Sequence, residues 1–209
     1  MAYGHSEESG AASTRTVEGF RFGIRQDVLL GGCVTRSDLD VIATARLLVR
    51  PAQEADRERF TELFSDEDFM VYYPGGARSQ DEASRRFDHM VAVCQTVPFG
   101  KQPVVELSSG AVVGYTGVDH ITFEGKTWLE WGYRLAPEFR GFGYATEASQ
   151  ALLAKAQQMY TGELLAIIAP ENLASQNVCR KLGFTFWKQA PIEGFVANLY
   201  TLSVGQAAP

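Results

Sequence analysis

The stretch that most constrains this chain is residues 127–169. Thr127 to Leu135 alternates as a β-strand does, with Trp128, Glu130 and Gly132 on one face and Leu129, Trp131 and Tyr133 on the other. A loop follows, with Gly141 and Gly143 two apart. It opens directly into a helix expected over 143–159, where Ala145, Ala148, Leu152 and Met159 recur at helical spacing. Glu163 to Ala169 is then almost continuously apolar, as expected of a strand covered on both faces. Strand, glycine loop, helix and buried strand in succession place a helix against a sheet.

The flanking segments extend this pattern. Val41 to Arg50 reads as a strand ending at Pro51. Residues 53–64 read as a helix with Phe60, Leu63 and Phe64 on one face, and residues 80–95 as another carrying Ala83, Phe87, Met90 and Val91. Pro74-Gly75-Gly76 marks the loop between them. Strands are expected over 103–107 and 111–123, around a turn at Ser108-Ser109-Gly110. Asn172 is a good cap for a helix over 172–182; Arg180 and Lys181 suit its negative end, and Gly183 suits a left-handed stop. Strands over 184–188 and 195–203 close the chain. The expected fold is a mixed α/β sheet with helices on both faces, in one domain spanning 41–205. Residues 1–40 form an N-terminal extension. Its first sixteen residues have a disordered composition; Phe20, Phe22 and Ile24 then alternate as a short strand before Gly31-Gly32.

Charge and cysteine content narrow the function classes. A net charge of −6 argues against nucleic acid or an anionic membrane as partner, since both need a basic surface. Cys33, Cys94 and Cys179, with His5, His89 and His120, are too scattered for a disulfide framework or a metal cage. No apolar run reaches the ~18 residues of a membrane span, and the N-terminus lacks a basic-then-apolar leader. The expectation is a cytoplasmic protein, monomeric or homodimeric, with no metal.

The chemistry concentrates in Leu135 to Ala148. Glycines at 141 and 143 let backbone N–H groups approach an anion without Cβ obstruction, and the helix that starts there points its positive end and unpaired N–H groups at the loop. Arg140 adds a charged donor. The run Arg140, Gly141, Phe142, Gly143, Tyr144, Ala145, Thr146 therefore reads as a cradle for a diphosphate. A P-loop is excluded because no Gly-x4-Gly-Lys-Ser/Thr run occurs. A dinucleotide fingerprint is disfavoured by Thr146 at the third glycine position.

Arg140-Gly141-Phe142-Gly143-Tyr144-Ala145 resembles the Arg/Gln-x-x-Gly-x-Gly/Ala pattern of the GNAT superfamily of N-acetyltransferases. Glu130-Trp131-Gly132-Tyr133-Arg134-Leu135, Asn172-Leu173-Ala174-Ser175, Lys181-Leu182-Gly183-Phe184 and Thr44 to Pro51 are similar to the branch containing the ribosomal-protein alanine N-acetyltransferases. The resemblance covers about residues 43–203. It implies a GNAT-like acyl-CoA N-acyltransferase fold, mostly antiparallel and splayed at a cofactor slot. It also implies acetyl-CoA as acyl donor, its pyrophosphate on the amides of Arg140 to Ala145 and its pantetheine against the backbone of Tyr133 to Leu135. Asn172 and Ser175 fall where that family places polar side chains near the thiol.

The implied reaction is direct attack by a primary amine, which must lose a proton to a base or a water chain. Glu130, on the strand feeding the loop, is the first choice for base; Asp119 and His120 are second choices. Many members of the family place a tyrosine, as acid for the leaving thiol, in the helix after the Asn motif. Here that stretch holds Asn177, Cys179 and Arg180, which leaves Ser175 or Asn172 to serve. Cys179, in mid-helix with no histidine paired to it, reads as a buried thiol rather than a nucleophile. Tyr72 and Tyr73 lie in the region that shapes the acceptor pocket of the family, and Trp128 shares the face of Glu130 and is expected to wall that pocket. The acceptor is a peptide N-terminus or a small-molecule amine such as an antibiotic, polyamine or amino acid. The rival from another class is a non-catalytic acyl-CoA-binding regulatory module.

Overall fold

A computed structural model describes residues 41–97, 99–192 and 194–205. The expected N-terminal extension, with its strand near Phe20, lies outside the described residues.

The chain runs through β1 (Ile42–Ala43), β2 (Leu47–Val49), a 3-10 turn at Glu54–Asp56, α1 (Arg57–Ser65), α2 (Glu67–Met70) and α3 (Gln80–Thr96). It continues with β3 (Gln102–Glu106), β4 (Val112–Phe123), β5 (Lys126–Leu135), α4 (Tyr144–Met159), β6 (Gly162–Ile168), α5 (Leu173–Lys181), β7 (Thr185–Ile192) and β8 (Phe195–Val204). The eight strands form one sheet in the order β1-β2-β3-β4-β5-β6-β8-β7. Every neighbouring pair is antiparallel except β5 and β6.

That one parallel pair places the site. β5 and β6 pair only at Leu129 with Leu164 and at Glu130 with Leu165. Beyond Glu130 each strand stays bonded to its other neighbour, β5 to β4 as far as Leu135 and β6 to β8 as far as Ile168. The two strands therefore part while both stay rigid. Their facing edges leave backbone N–H and C=O groups without ladder partners, and such groups seek a ligand.

Three apolar clusters hold this frame. On one face of the sheet α4 lays Ala148, Leu152 and Ala156 against Leu129, Trp131 and Leu164. On the other, Phe60 and Phe64 of α1, Phe69 of α2 and Phe87 of α3 enclose Tyr115 of β4. Under the β7–β8 hairpin lie Phe123, Trp128, Leu165 and Leu199. Each fully buried Leu or Phe contributes roughly 1.5–3 kcal/mol of transfer free energy.

Four local expectations are corrected. Val41 to Arg50 is two strands, not one, because the chain turns at Thr44: its N–H reaches Leu47 O at 2.8 Å and its Oγ1 donates to Glu147 of α4 at 2.6 Å. The helix expected from Gln53 starts as a 3-10 turn, in which Gln53 and Asp56 cap each other. The four-residue α2 was not anticipated; Asp66 caps it by accepting the Phe69 N–H at 2.6 Å. β7 runs past Lys188 to Ile192 because its hairpin with β8 carries the ladder through Pro191. The ends of α5 are as expected: Asn172 Oδ1 accepts the Ser175 N–H at 3.0 Å, and Gly183 is left-handed at φ 92°.

Candidate active site

At one end of the slot stands the glycine loop. Leu135 ends β5, a 3-10 turn over Pro137–Phe139 follows, and Gly141 and Gly143 take left-handed φ angles of 85° and 82° before α4 begins. An L side chain adopts that conformation at a cost, so glycine is what lets the loop turn its N–H groups outward. A Cβ at Gly141 would meet nothing within 4 Å, and one at Gly143 only Arg46 Nη2 at 3.7 Å. Open space over amides at a helix N-terminus fits a diphosphate.

The side chains of this run brace the cradle more than they line it. Arg140 donates from Nε to Leu135 O at 3.1 Å and from Nη2 to Asp68 O at 2.8 Å, tying the loop to β5 and to α2. Tyr144 donates to Glu106 Oε1 at 2.5 Å beneath the guanidinium of Arg46, 4.7 Å from its ring. Phe142 stacks on Tyr144 at 5.8 Å and stands exposed. Glu147, one turn into α4, binds Arg46 Nη2 at 2.6 Å as well as Thr44. Burial would raise its pKa, but the hydrogen bonds from Thr44 and Arg46 outweigh burial and hold the carboxyl below its ordinary value.

Two cavities follow the slot and share Tyr72, Tyr133, Arg134, Asn172 and Ser175. The first is lined by Leu135, Arg140, Gly141, Gly143, Tyr144, Ala145 and Thr146 against the start of α5. The second, about 280 Å³, holds Glu130 and Tyr73. Of the residues singled out in the sequence, only Phe142 and Trp128 line neither. Trp128 is a correction: it lies in the apolar cluster under β7–β8, 5.6 Å from the ring of Trp187, because β5 has already passed beneath the hairpin at that position.

Where the cavities meet, Tyr133 donates its hydroxyl to Ser175 Oγ at 3.1 Å. Burial raises the Tyr133 pKa, only partly offset by that hydrogen bond, so the phenol is protonated at neutral pH. The phenol missing from α5 thus reaches the slot from β5. Strand alternation placed Tyr133 opposite Glu130 in direction, but no local pattern pairs it with Ser175, which is 42 positions away. Cys179 also lines the cavity. Burial pushes its thiol up to about 12, against a smaller opposing pull from Arg180, so it is neither ionised nor nucleophilic near pH 7.

The far end of the slot carries the charges. Lys101 Nζ lies 3.0 Å from Glu130 Oε2 and 3.8 Å from Asp119 Oδ2. His89 Nε2, on exposed α3, lies 2.9 Å from Asp119 Oδ2, and the His120 N–H donates to Asp119 Oδ1 at 2.8 Å. Burial would lower the Lys101 pKa; Glu130, then Tyr115 and Asp119, overcome it and raise the value above that of an ordinary lysine. Lys101 gets there because Phe99 and Gly100 lie directly on β4. Val118 N–H donates to Phe99 O and Lys101 N–H to Val118 O, each at 3.0 Å. Gly117 permits the crossing: its φ is 134°, and a Cβ there would stand 2.2 Å from Gly100 O. Sequence reasoning missed Lys101, His89, Arg86 and Arg134. A lysine after a helix reads as a solvated residue, and nothing in the local pattern shows that the chain bridges to β4 there.

Comparison with known proteins agrees with this geometry. Residues 46–185 match the acetyltransferase (GNAT) domain family. The chain belongs to the GNAT acetyltransferase family. It is 30% identical over 146 residues to the uncharacterized N-acetyltransferase YnaD of Bacillus subtilis, covering 68% of this chain and 81% of that one. Among solved structures, a GNAT-family acetyltransferase from Bacillus anthracis superposes with a TM-score of 0.66 at 24% identity, over 78% of this chain and 98% of that one. The ribosomal-protein-S5-alanine acetyltransferase of Vibrio fischeri superposes with a TM-score of 0.64 at 20% identity, over 81% and 99%. Family membership makes this GNAT protein an acetyl-CoA-dependent N-acetyltransferase, and its sheet, splayed beside a glycine-loop helix, is the fold expected of one. Among the described residues, no helix is long and apolar enough to cross a membrane.

Proposed function

We propose that this GNAT protein moves the acetyl group directly to a primary amine in a ternary complex, with the donor on the Arg140–Thr146 amides and the amine beside Glu130. The observation that carries this reading is the slot itself: two adjoining cavities that share Tyr133 and Ser175, one at the glycine loop and the other at a pair of carboxylates. Bound there, acetyl-CoA supplies the thioester carbonyl. The chain supplies the rest. Glu130 receives the proton of the incoming ammonium, and Lys101 holds that carboxylate in place between it and Asp119. Beyond Lys101, Asp119 is bonded to His89, which is exposed at the mouth of the pocket. Backbone N–H groups on the unpaired edge of β5 are donors for charge developing on the carbonyl oxygen. Ser175, with the Tyr133 hydroxyl behind it, protonates the departing thiolate. Asn172 fixes Ser175 by capping α5.

The acceptor is a peptide N-terminus or a small amine. The peptide reading is supported by fold likeness to the ribosomal-protein acetyltransferase of Vibrio fischeri. A polyamine is disfavoured, since it would need an acidic pocket and this one carries Arg86, Lys101 and Arg134 against Asp119 and Glu130. The Tyr133–Ser175 pair also removes the main motive for a non-catalytic reading.

The test is CoA-thiol release across a panel of primary amines, for wild type, Glu130→Gln and Ser175→Ala. Loss of a general base lowers kcat by about 10²-fold or more. If both variants turn over as the wild type does, the assigned roles are wrong. If acetyl-CoA stabilises the fold yet no amine on the panel is acetylated, the protein binds the donor without transferring from it.

A further inference from the structure

Arg86 of α3 and Arg134 of β5 converge on the acceptor cavity around one ring. The Arg86 guanidinium lies 4.0 Å from the centroid of Tyr73 and that of Arg134 lies 5.0 Å from it. A third, Arg78, stacks on the same ring at 5.1 Å. Neither Arg86 nor Arg134 has a carboxylate within 4.0 Å among the described residues. Their protein partners are few and neutral. Arg86 Nη1 donates to Tyr73 Oη at 2.7 Å; Arg134 Nη1 donates to Phe69 O at 3.2 Å and approaches Met70 Sδ at 3.4 Å. A guanidinium carries five N–H donors, so most of this capacity is unspent.

Asp119 acts on Arg86 only from beyond 4.0 Å, and the contacts of both cavity carboxylates go to Lys101. In a chain with 25 acidic and 19 basic residues, the acceptor cavity holds three cations against two carboxylates. Buried Tyr115 senses the excess: burial alone would raise its pKa, yet Arg134, Lys101 and Arg86 bring it below the ordinary phenol value. Half-buried arginines with no carboxylate in contact leave charge-assisted hydrogen bonds unmade that an anionic ligand can supply. A planar fork of donors is the group best suited to a carboxylate or a phosphate.

We propose that the acceptor of this enzyme carries an anionic group, a carboxylate or a phosphate, which Arg86 and Arg134 bind while the amine lies against Glu130. The substrate class is then amines with a nearby anion, such as an amino acid, an aminoalkyl phosphate or a peptide whose N-terminal residue is acidic. This rests on the acetyl-transfer reading for the position of the amine, but the anion site itself can be tested without turnover.

The experiment uses the full chain saturated with CoA, so that added anions cannot occupy the glycine loop. Inorganic phosphate and succinate are titrated separately by calorimetry into wild type, Arg86→Gln and Arg134→Gln. Arg86→Lys, which keeps the charge and loses the fork, is the fourth sample, and thermal melts check that all four are folded. Wild type is expected to bind at least one of the anions, with affinity at least tenfold weaker in each Gln variant and an intermediate value in Arg86→Lys. Whichever anion binds names the chemistry. A rate panel follows, pairing ethanolamine with phosphoethanolamine and glutamine amide with glutamate. The anionic member should have at least tenfold higher kcat/KM, and that preference should vanish in Arg86→Gln. If neither anion binds the CoA-saturated wild type, or if both Gln variants bind as it does, the proposal is overturned. If the neutral members are acetylated as well as the anionic ones, the proposal falls and acetyl transfer stands. Anion binding without acetylation of any amine would keep the site and sink the catalytic reading instead.

Discussion

The two ends of the slot are built by opposite means. The end proposed for the donor is made of backbone: amides of a loop that two glycines turn outward, backed by the N-terminus of α4. Its side chains, Arg140, Tyr144 and Glu147, are spent on bracing. The end proposed for the acceptor is made of side chains from α3, the segment after it, β4 and β5, brought together where that segment bridges to β4. The lesson is that a site made of backbone can be carried by a short contiguous motif, whereas one made of side chains is assembled from residues distant in the chain.

The sharpest way to break that difference is at the crossing. Gly117→Val should destabilise the protein by about 3 kcal/mol or more, since its Cβ would collide with the Gly100 backbone in a conformation that L residues avoid. Urea unfolding measures it, and a wild-type midpoint would mean that the crossing is loose. Gly143→Trp strikes the donor end alone. At a hundredfold excess of acetyl-CoA over its dissociation constant, wild type should gain about 2.7 kcal/mol of stability and the variant almost none. A thermal shift that survives in Gly143→Trp would place the donor elsewhere.

Lys101→Met should cost about 1–3 kcal/mol, discounted for partial exposure, because it leaves Glu130 and Asp119 without their shared cation. Adding Glu130→Gln should recover part of that loss. Strictly additive losses in the double-mutant cycle would show that the pair is not coupled.

Stability should also decline in alkali. The Cys179 thiol is held at about 12 in the native state, against about 8.5 for a free thiol. The native state therefore binds the proton more tightly than the unfolded chain does. Its contribution is fully present below the free value and is lost as pH rises from there toward 12. The raised pKa of Lys101 acts in the same direction at higher pH. Cys179→Ala should flatten the alkaline limb of a stability-against-pH curve; an unchanged limb would refute the burial argument. The smallest effect is expected from Trp128→Phe, which should leave kcat and KM within about twofold, since Trp128 packs under the β7–β8 hairpin. A large rise in KM would return Trp128 to the acceptor pocket.

The donor end was legible because its determinants are local. Strand alternation, glycines two apart, an Asn cap and a Gly stop all act within a few residues, and each appears where periodicity or capping rules put it. Glu130 and Tyr133 could be located on β5, but not their partners Lys101 and Ser175. The break between β1 and β2 escaped for the same reason, since Glu147 of α4 imposes it from 103 positions away. Trp128 misled because alternation reports the face of a strand and says nothing of what covers that face farther along.

By itself the sequence determined the class of fold, the succession of its main elements and the glycine turn that opens α4, for these follow from side-chain periodicity and backbone conformations that depend on near neighbours. The tertiary structure alone decided where β5 and β6 part, that a lysine would lie between two carboxylates, and that two arginines would meet at Tyr73 with no carboxylate in contact. Those outcomes depend on which distant segments share a low-dielectric space, where burial and pairing energies reach several kcal/mol and outweigh local preference.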